Sequence, residues 1–317
     1  MRSGIKKLLV FILAAALMLT TAGGFADAKK VYADQDMLLI APAPDSFSIK
    51  VCVTIVDDKA KVVLEQEEIE VDDADGDGEL TVNDALYIAH EYFYIGGAEA
   101  GYGLADNAQY GYTGYMLTKL WGIENGGSYG IGINNQFANI GLGDPVRNGD
   151  IIDAYCYRDL TSWSDKYSRF DTRIIEVSRK KAVKLKLTYL GYAADYSTVE
   201  KPVKNAVIYD GKKKTDYKVN KKGVVKLKFD AIGRHVITAE STKKKTVLVT
   251  PISVIWVVPN KGNLTSVDKE TGLQYKVVVP ASKVNGTDGE VVVYKNDNNA
   301  EVPDSILFGG LTYKVNK

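Results

Sequence analysis

Carboxylate side chains are spaced for metal chemistry in the segment Asp73–Asp84. Aspartates stand at its first, third, fifth and twelfth positions, a glycine at the sixth and an apolar residue at the eighth: Asp73, Asp75, Asp77, Asp84, Gly78 and Leu80. Carboxylates this close together repel one another unless a cation lies between them. Because Ca²⁺ takes six to eight oxygen ligands at about 2.4 Å, the spacing predicts a calcium site.

The segment resembles an EF-hand calcium loop at nearly every position. That resemblance implies six ligating residues, with Glu79 acting through its backbone carbonyl and Thr81 directly or through water: Asp73, Asp75, Asp77, Glu79, Thr81 and Asp84. An aspartate at the last position is more similar to the loops of dockerins. A solvated acidic turn, in which Asn83 or Asp84 caps a helix, remains the alternative.

Two strands and a helix are predicted to position this loop. Ser48–Val56 and Lys61–Val71 follow the strand pattern and form a hairpin. From Val82 the apolar residues recur at helical spacing, and Gly96 and Gly97 end the helix. The predicted ion is structural, because it would fix the corner between a strand and a helix.

The next segment is rich in Gly, Asn and Tyr. Its motifs Gly111–Ile123, Tyr129–Asn135 and Asp144–Ile152 resemble a family of bacterial domains of unknown function, which is similar to the C-terminal β-domain of transcobalamin and intrinsic factor. The shared features are an aromatic strand ending in Gly-Ile, a strand ending in Asn-Asn, and Asn-Gly-Asp-Ile before a final strand. The resemblance covers about residues 46–165 and implies an α+β, β-grasp-like fold. In transcobalamin this domain covers one face of a corrinoid, so the resemblance also implies small-ligand binding with a corrinoid as the candidate ligand.

The remaining sequence is β in pattern. Residues 201–239 resemble immunoglobulin-like modules of bacterial surface proteins, and the C-terminal segment resembles short β-repeats of secreted proteins. Both imply adhesion or spacer roles. We therefore expect a multi-domain chain with these parts: signal peptide 1–28, linker 29–46, β-grasp-like domain 47–165, all-β immunoglobulin-like sandwich 172–257, and small β meander 258–317.

The N-terminal residues predict export. Arg2, Lys6 and Lys7 precede the apolar run Leu8–Leu19, and Ala26-Asp27-Ala28 fits a cleavage site. The mature protein is expected to be secreted or held non-covalently at the cell surface, with no membrane span after cleavage. No nucleic-acid partner is expected.

Charge divides the chain near Asp165. Residues 29–165 hold 8 Lys and Arg against 24 Asp and Glu, whereas residues 166–317 hold 29 against 15. The acidic part suits a cation. The basic part either attracts an anionic cell-wall polymer or glycan or only protects strand edges from pairing.

Two side-chain sets leave alternatives open. Cys52 and Cys156 either form a disulfide, which export would permit, or remain buried thiols. The aromatic residues of the Tyr/Gly-rich segment either form a ligand-stacking platform for a sugar or small ligand, or lie in the sheet core: Tyr112, Tyr115, Trp121 and Tyr129, with Trp163 as a further candidate.

No catalytic motif stands out. The chain has two histidines, and His90 is expected at the surface or half-buried. The sequence contains no zinc-type histidine pair or phosphate loop. We therefore expect a non-catalytic, calcium-binding adhesion or binding protein. The alternatives are a small-ligand carrier and an unrecognised glycan-active enzyme.

Overall fold

The computed structural model describes residues 48–110, 114–243, 246–262, 264–268 and 270–317. The predicted signal peptide and linker lie outside these residues. Phe47–Lys317 forms one compact unit. Within the described residues the protein is mostly β-strand, in several sheets, with two α-helices. The predicted β-rich, multi-sheet architecture is thus confirmed.

The first segment contains the predicted hairpin, the predicted helix and a mixed sheet. Its elements are β1 (Ile49–Val56), β2 (Val62–Val71), α1 (Val82–Phe93), α2 (Gly97–Gly101), β3 (Gly103–Asp106), β4 (Tyr115–Lys119), β5 (Tyr129–Ile133), β6 (Gln136–Phe137) and β7 (Ile151–Cys156). The main sheet has the order β2-β1-β7-β5-β6, and β3 pairs separately with β4. Its central strands β1 and β7 run parallel, whereas the outer pairs are antiparallel.

Alternating apolar residues explain why β1 and α1 pack together. Val51, Val53 and Ile55 are almost completely buried, and so are Ala85, Leu86 and Ala89 of α1. All of them belong to one hydrophobic cluster. The helix ends earlier than predicted, at Phe93, and Gly97 begins the short helix α2 instead of terminating α1.

The second segment contains two sheets that enclose a shared core. Its strands are β8 (Lys166–Phe170), β9 (Ile174–Ser178), β10 (Ala182–Tyr192), β11 (Thr198–Pro202), β12 (Val207–Asp210), β13 (Lys213–Lys218), β14 (Val224–Lys228), β15 (Gly233–Glu240), β16 (Leu248–Val249) and β17 (Ile252–Val258). One sheet has the order β11-β10-β8-β16, with β14 also pairing with β10, and the other has the order β13-β12-β15-β17-β9. Leu185 and Leu187 from the first sheet and Ile208 and Ile255 from the second are fully buried in one cluster.

Several of these strands have no counterpart in the sequence prediction. The lysine-rich strand β13 and the short strand β11 contain few apolar residues, and more than half of the residues of each are exposed. The buried strand β17 is a nearly continuous apolar run, Ile-Ser-Val-Ile-Trp-Val-Val. Periodicity alone does not identify such a run as a strand.

The C-terminal segment forms one further sheet. Its strands are β18 (Leu264–Val267), β19 (Gln274–Val279), β20 (Gly289–Lys295), β21 (Ser305–Phe308) and β22 (Leu311–Asn316). Their order is β18-β19-β20-β22-β21. Tyr275, Val291 and Tyr313 are buried in its own hydrophobic cluster, and Trp256 of β17 packs against them.

Both cysteines are free thiols. They lie in the neighbouring strands β1 and β7, but Cys52 is aligned with Ile151, five residues before Cys156. At about 3.3 Å per residue, that register places the two Cα atoms far beyond the roughly 6 Å that a disulfide spans. The strand register therefore excludes a Cys52–Cys156 disulfide and leaves the second alternative, two free thiols.

None of the helices in the described part of the chain is long and apolar enough to span a bilayer.

Candidate metal centre

The Asp73–Asp84 loop connects two buried anchors. Val71 ends β2, Val82 begins α1, and both side chains are fully buried. The exit of the loop is bonded to a neighbouring segment, because the N–H of Val82 donates to the carbonyl of Asp144 (3.0 Å) and that of Val146 donates to Leu80 (2.9 Å). These contacts hold the loop against the body of the protein.

The loop folds around the Asp73 carboxylate. Its Oδ1 accepts hydrogen bonds from the backbone N–H groups of Gly76 (2.8 Å) and Asp77 (3.1 Å), and its Oδ2 accepts from Gly78 (3.0 Å). Gly76 and Gly78 have φ angles of +79° and +90°. Only glycine adopts this region readily, so the two glycines permit the sharp turn.

Asp84 closes the loop from the helix side. Its Oδ1 accepts from the N–H of Ala74 (2.9 Å), and its Oδ2 accepts from both the N–H and the hydroxyl of Thr81 (2.8 Å each). The side chain is fully buried. It also lies in the first turn of α1, where the helix dipole favours negative charge. The N-cap of α1 is Thr81, not Asn83 or Asp84, and Asp84 lies at the third position of the helix, from which its carboxylate completes a capping box with Thr81. This capping contact does not exclude metal binding.

Three of the predicted ligands converge. Asp73, Asp75 and Asp84 each offer a carboxylate oxygen, and these oxygens lie within 4.8 Å of one another. Two oxygens on opposite sides of a calcium ion are separated by about twice the 2.4 Å bond length, which is also about 4.8 Å. The donor set is hard and anionic, so these residues fit a calcium ion.

The other predicted ligands lie along the same loop but outside that group. The Oδ1 of Asp77 accepts from the N–H of Glu79 (2.8 Å), and the Glu79 side chain is exposed. The hydroxyl of Thr81 is engaged with Asp84.

A buried pair of side chains supports Asp75. The amide of Asn83 donates to Asp75 Oδ2 (2.9 Å), and the hydroxyl of Tyr102 donates to Asn83 Oδ1 (2.9 Å). Burial, and then the charges of Asp84 and Asp75, raise the pKa of the Tyr102 phenol. Sequence patterns did not identify this support. Asn83 drew attention only as a helix cap, and Tyr102 follows α2 without any periodic signal.

The predicted ligand-binding aromatics occupy different settings. Tyr112 lies outside the described residues. Tyr115 is 57% exposed and, with Asp75, Asp77 and Ile140, lines a cavity of about 500 Å³ beside the loop. Tyr129 lines a separate cavity, and its hydroxyl lies 2.7 and 2.8 Å from the carbonyl oxygens of Thr118 and Ile123. The described members therefore do not form one continuous platform.

Trp121 packs with a histidine in the core. Its ring lies 5.1 Å from that of His90 and 5.3 Å from that of Tyr94. His90 is fully buried, so the expectation of a surface or half-buried histidine was wrong. Its Nδ1 donates to the Leu86 carbonyl (2.6 Å), and its Nε2 accepts from the N–H of Trp121 (2.9 Å). Both ring nitrogens are thus occupied in stabilising the fold.

The chain matches no protein-family model and no curated protein.

Proposed function

We propose that this protein is an exported, non-catalytic binding or adhesion protein whose N-terminal folded segment is stabilised by one bound calcium ion. The observation that carries the metal assignment is the convergence of Asp73, Asp75 and Asp84 oxygens within 4.8 Å. In the bound state, Asp77, the carbonyl of Glu79 and Thr81 complete the ligand set. The ion supplies positive charge that offsets carboxylate repulsion and fixes the β2–α1 corner.

The electrostatic argument for an ion rests on Asp84. This carboxylate is fully buried, and the described residues provide it with three hydrogen bonds but no ion pair. Buried charges in proteins are normally paired or coordinate a metal. A calcium ion between Asp73, Asp75 and Asp84 would provide that compensation.

The proposed fold assignments have topological support. Parallel central strands with antiparallel neighbours, packed on one helix, support a β-grasp-like arrangement for residues 47–165. Two sheets around one core support an immunoglobulin-like sandwich for residues 172–257. Together these assignments suit a calcium-binding segment that is carried on β-sheet domains. This is the arrangement that we propose for an adhesion protein.

Calorimetric titration of calcium into chelator-treated protein lacking residues 1–28 tests the metal. We expect saturable heat, a higher melting temperature with calcium, and weaker binding in Asp73→Asn and Asp75→Asn. Asp216→Asn, an exposed aspartate on β13, is the matched control and should bind as the parent does. Absence of calcium heat at millimolar concentration, or equal loss in the control, would contradict the assignment.

A further inference from the structure

A second candidate site lies between the first segment and the second. A cleft of about 620 Å³ opens between strands β5 and β6 on one side and β8 and β10 on the other. We call it the aromatic cleft and define it by six of its lining residues: Phe137, Trp163, Asp165, Lys166, Tyr192 and Lys201. Its volume is within the range of small-molecule sites, about 300–1,000 Å³.

One wall of the aromatic cleft presents an exposed tryptophan on a fixed backbone. Trp163 is 58% exposed and has a φ angle of +45°. Its N–H donates to the Asp159 carbonyl (3.1 Å), and its indole Nε1 donates to Ser128 Oγ (3.2 Å). The Asp159 carboxylate in turn accepts from the N–H groups of Thr161 (3.1 Å) and Ser162 (3.0 Å). A large aromatic side chain is thereby held outside the core at the cleft, where a ligand can pack against it.

The opposite wall presents a stacked tyrosine. Tyr192 is also 58% exposed, and its ring stacks on Phe137 with centroids 6.0 Å apart and planes 15° apart. Because Phe137 belongs to β6 and Tyr192 to β10, the stack joins the two segments at the cleft. One face of Tyr192 is thereby fixed, and its exposure leaves ring surface open to a ligand.

Polar groups in the aromatic cleft define the ligand chemistry. Asp165 is nine-tenths buried. Its Oδ2 accepts from the N–H of Arg158 (2.5 Å), whereas its Oδ1 has no hydrogen-bond partner among the described residues. Such a buried acceptor needs a donor that is not among these residues, either a water molecule or a ligand hydroxyl.

Two lysines add positive charge at the same place. Lys201 Nζ donates to the carbonyl of Tyr192 (3.1 Å), and Lys166 Nζ lies 6.0 Å from the centroid of the Tyr189 ring. Together they exceed the single negative charge of Asp165. A matching ligand therefore has flat apolar faces, hydroxyl donors and a negative charge.

We propose that the aromatic cleft binds a saccharide that carries a carboxylate, such as a uronic-acid oligomer. The C–H faces of its rings pack on Trp163 and Tyr192, whose π faces carry partial negative charge. A sugar hydroxyl donates to Asp165, and the sugar carboxylate pairs with Lys166 and Lys201. This assignment names the ligand class of the binding protein proposed above and rests on that function, but it uses none of the calcium-loop residues.

Calorimetry with defined probes tests the assignment. We would titrate galacturonate, glucuronate and mannuronate trimers, and the fully methyl-esterified form of any trimer that binds. We expect at least one acidic trimer to bind and its ester, which lacks the charge, to bind at least tenfold more weakly. Trp163→Ala and Tyr192→Ala should each weaken binding at least tenfold while the protein stays folded at the titration temperature, which thermal melting of each variant checks. Lys201→Gln should weaken binding of the acid but not of the ester.

Tyr294→Ala is the matched control, because Tyr294 is 64% exposed on β20, away from the cleft. No binding of any trimer at 10 mM, equal binding of acid and ester, or unchanged affinity in Trp163→Ala would overturn the proposal. Repeating the titration with excess chelator separates the two sites. Saccharide binding without calcium heat would refute only the proposed calcium site. Calcium heat without saccharide binding would refute only the proposed saccharide site in the aromatic cleft.

Discussion

Arg173 and Asp153 form a buried ion pair between the first and second segments of the protein. Arg173 Nη1 lies 3.1 Å from Asp153 Oδ1, and Nη2 lies 2.5 Å from Oδ2. Both side chains are less than one-tenth exposed. The Tyr167 hydroxyl donates to the same carboxylate, and Asn135 Oδ1 accepts from the guanidinium. The acidic and basic parts of the chain therefore meet in one buried hydrogen-bonded network.

Arg173→Leu should destabilise the protein by about 3–5 kcal/mol, because it leaves Asp153 buried without its counter-charge. Urea denaturation measures the change. Arg234→Gln is the control, since Arg234 pairs with Glu65 in a more exposed ion pair, and its loss should cost less than about 1 kcal/mol. A loss in Arg173→Leu no larger than that of the control would show that the pair contributes little. Adding Asp153→Asn to Arg173→Leu should recover part of the loss.

Gly78→Ala should destabilise the calcium loop through backbone strain. A Cβ at Gly78 would meet no atom within 4 Å, but the φ angle is +90°. The expected cost is about 1 kcal/mol, together with weaker calcium affinity. In Gly143→Ala, where φ is ordinary and the Cβ would contact only the Ile140 side chain at 3.6 Å, we expect little change. Equal melting temperatures of the two variants would argue against strain at Gly78.

The pKa values of the two histidines should be shifted in opposite directions. Burial lowers the pKa of His90 to about 4, with the hydrogen bond to Leu86 opposing it. Burial also lowers the pKa of His235, but the hydrogen bond and charge of Asp210, 2.6 Å from Nδ1, outweigh it and raise the pKa overall. Histidine NMR signals measured from pH 3.5 to 9 should therefore show one titration near 4 and one above 6.5. Two titrations near 6.5 would contradict the burial of His90.

These shifts have opposite effects on stability. Between pH 6.5 and about 4 the unfolded chain binds a proton at His90 and the folded protein does not, so acidification destabilises the fold by up to about 3 kcal/mol from this group. The contribution of His235 is present below its unfolded pKa and is lost as the pH rises through its folded pKa. Unfolding free energies of His235→Gln and the parent should therefore differ more at pH 6 than at pH 9. An equal difference at both pH values would contradict the His235–Asp210 pairing.

The two thiols should be unreactive in the folded protein. Burial raises the pKa of both Cys52 and Cys156 to about 12, and the thiolate is the reactive form. A thiol reagent at pH 8 should modify both cysteines in denaturant and neither at a comparable rate in the folded state. An intact mass two daltons lower than that of the reduced chain would instead reveal a disulfide and contradict the strand register.

The sequence by itself determined the features whose patterns lie within a short stretch of chain: two strands, one helix and the carboxylate loop between them. The alternation in β1 and β2 and the apolar spacing in α1 predicted their positions to within a few residues. The spacing of Asp73, Asp75 and Asp84 predicted carboxylates that the structure brings together. These patterns can be recognised because residues a few positions apart are held together by the geometry of one turn, one strand or one helix face.

Only the tertiary structure decided which distant residues meet. Sequence could not pair β1 with β7, about a hundred residues later, and that register separates Cys52 from Cys156. Nor could it place Tyr102 behind Asn83 or stack Tyr192 on Phe137. Such contacts depend on how sheets pack and strands align over long separations, because a shift of one residue exchanges every side chain between the two faces of a sheet.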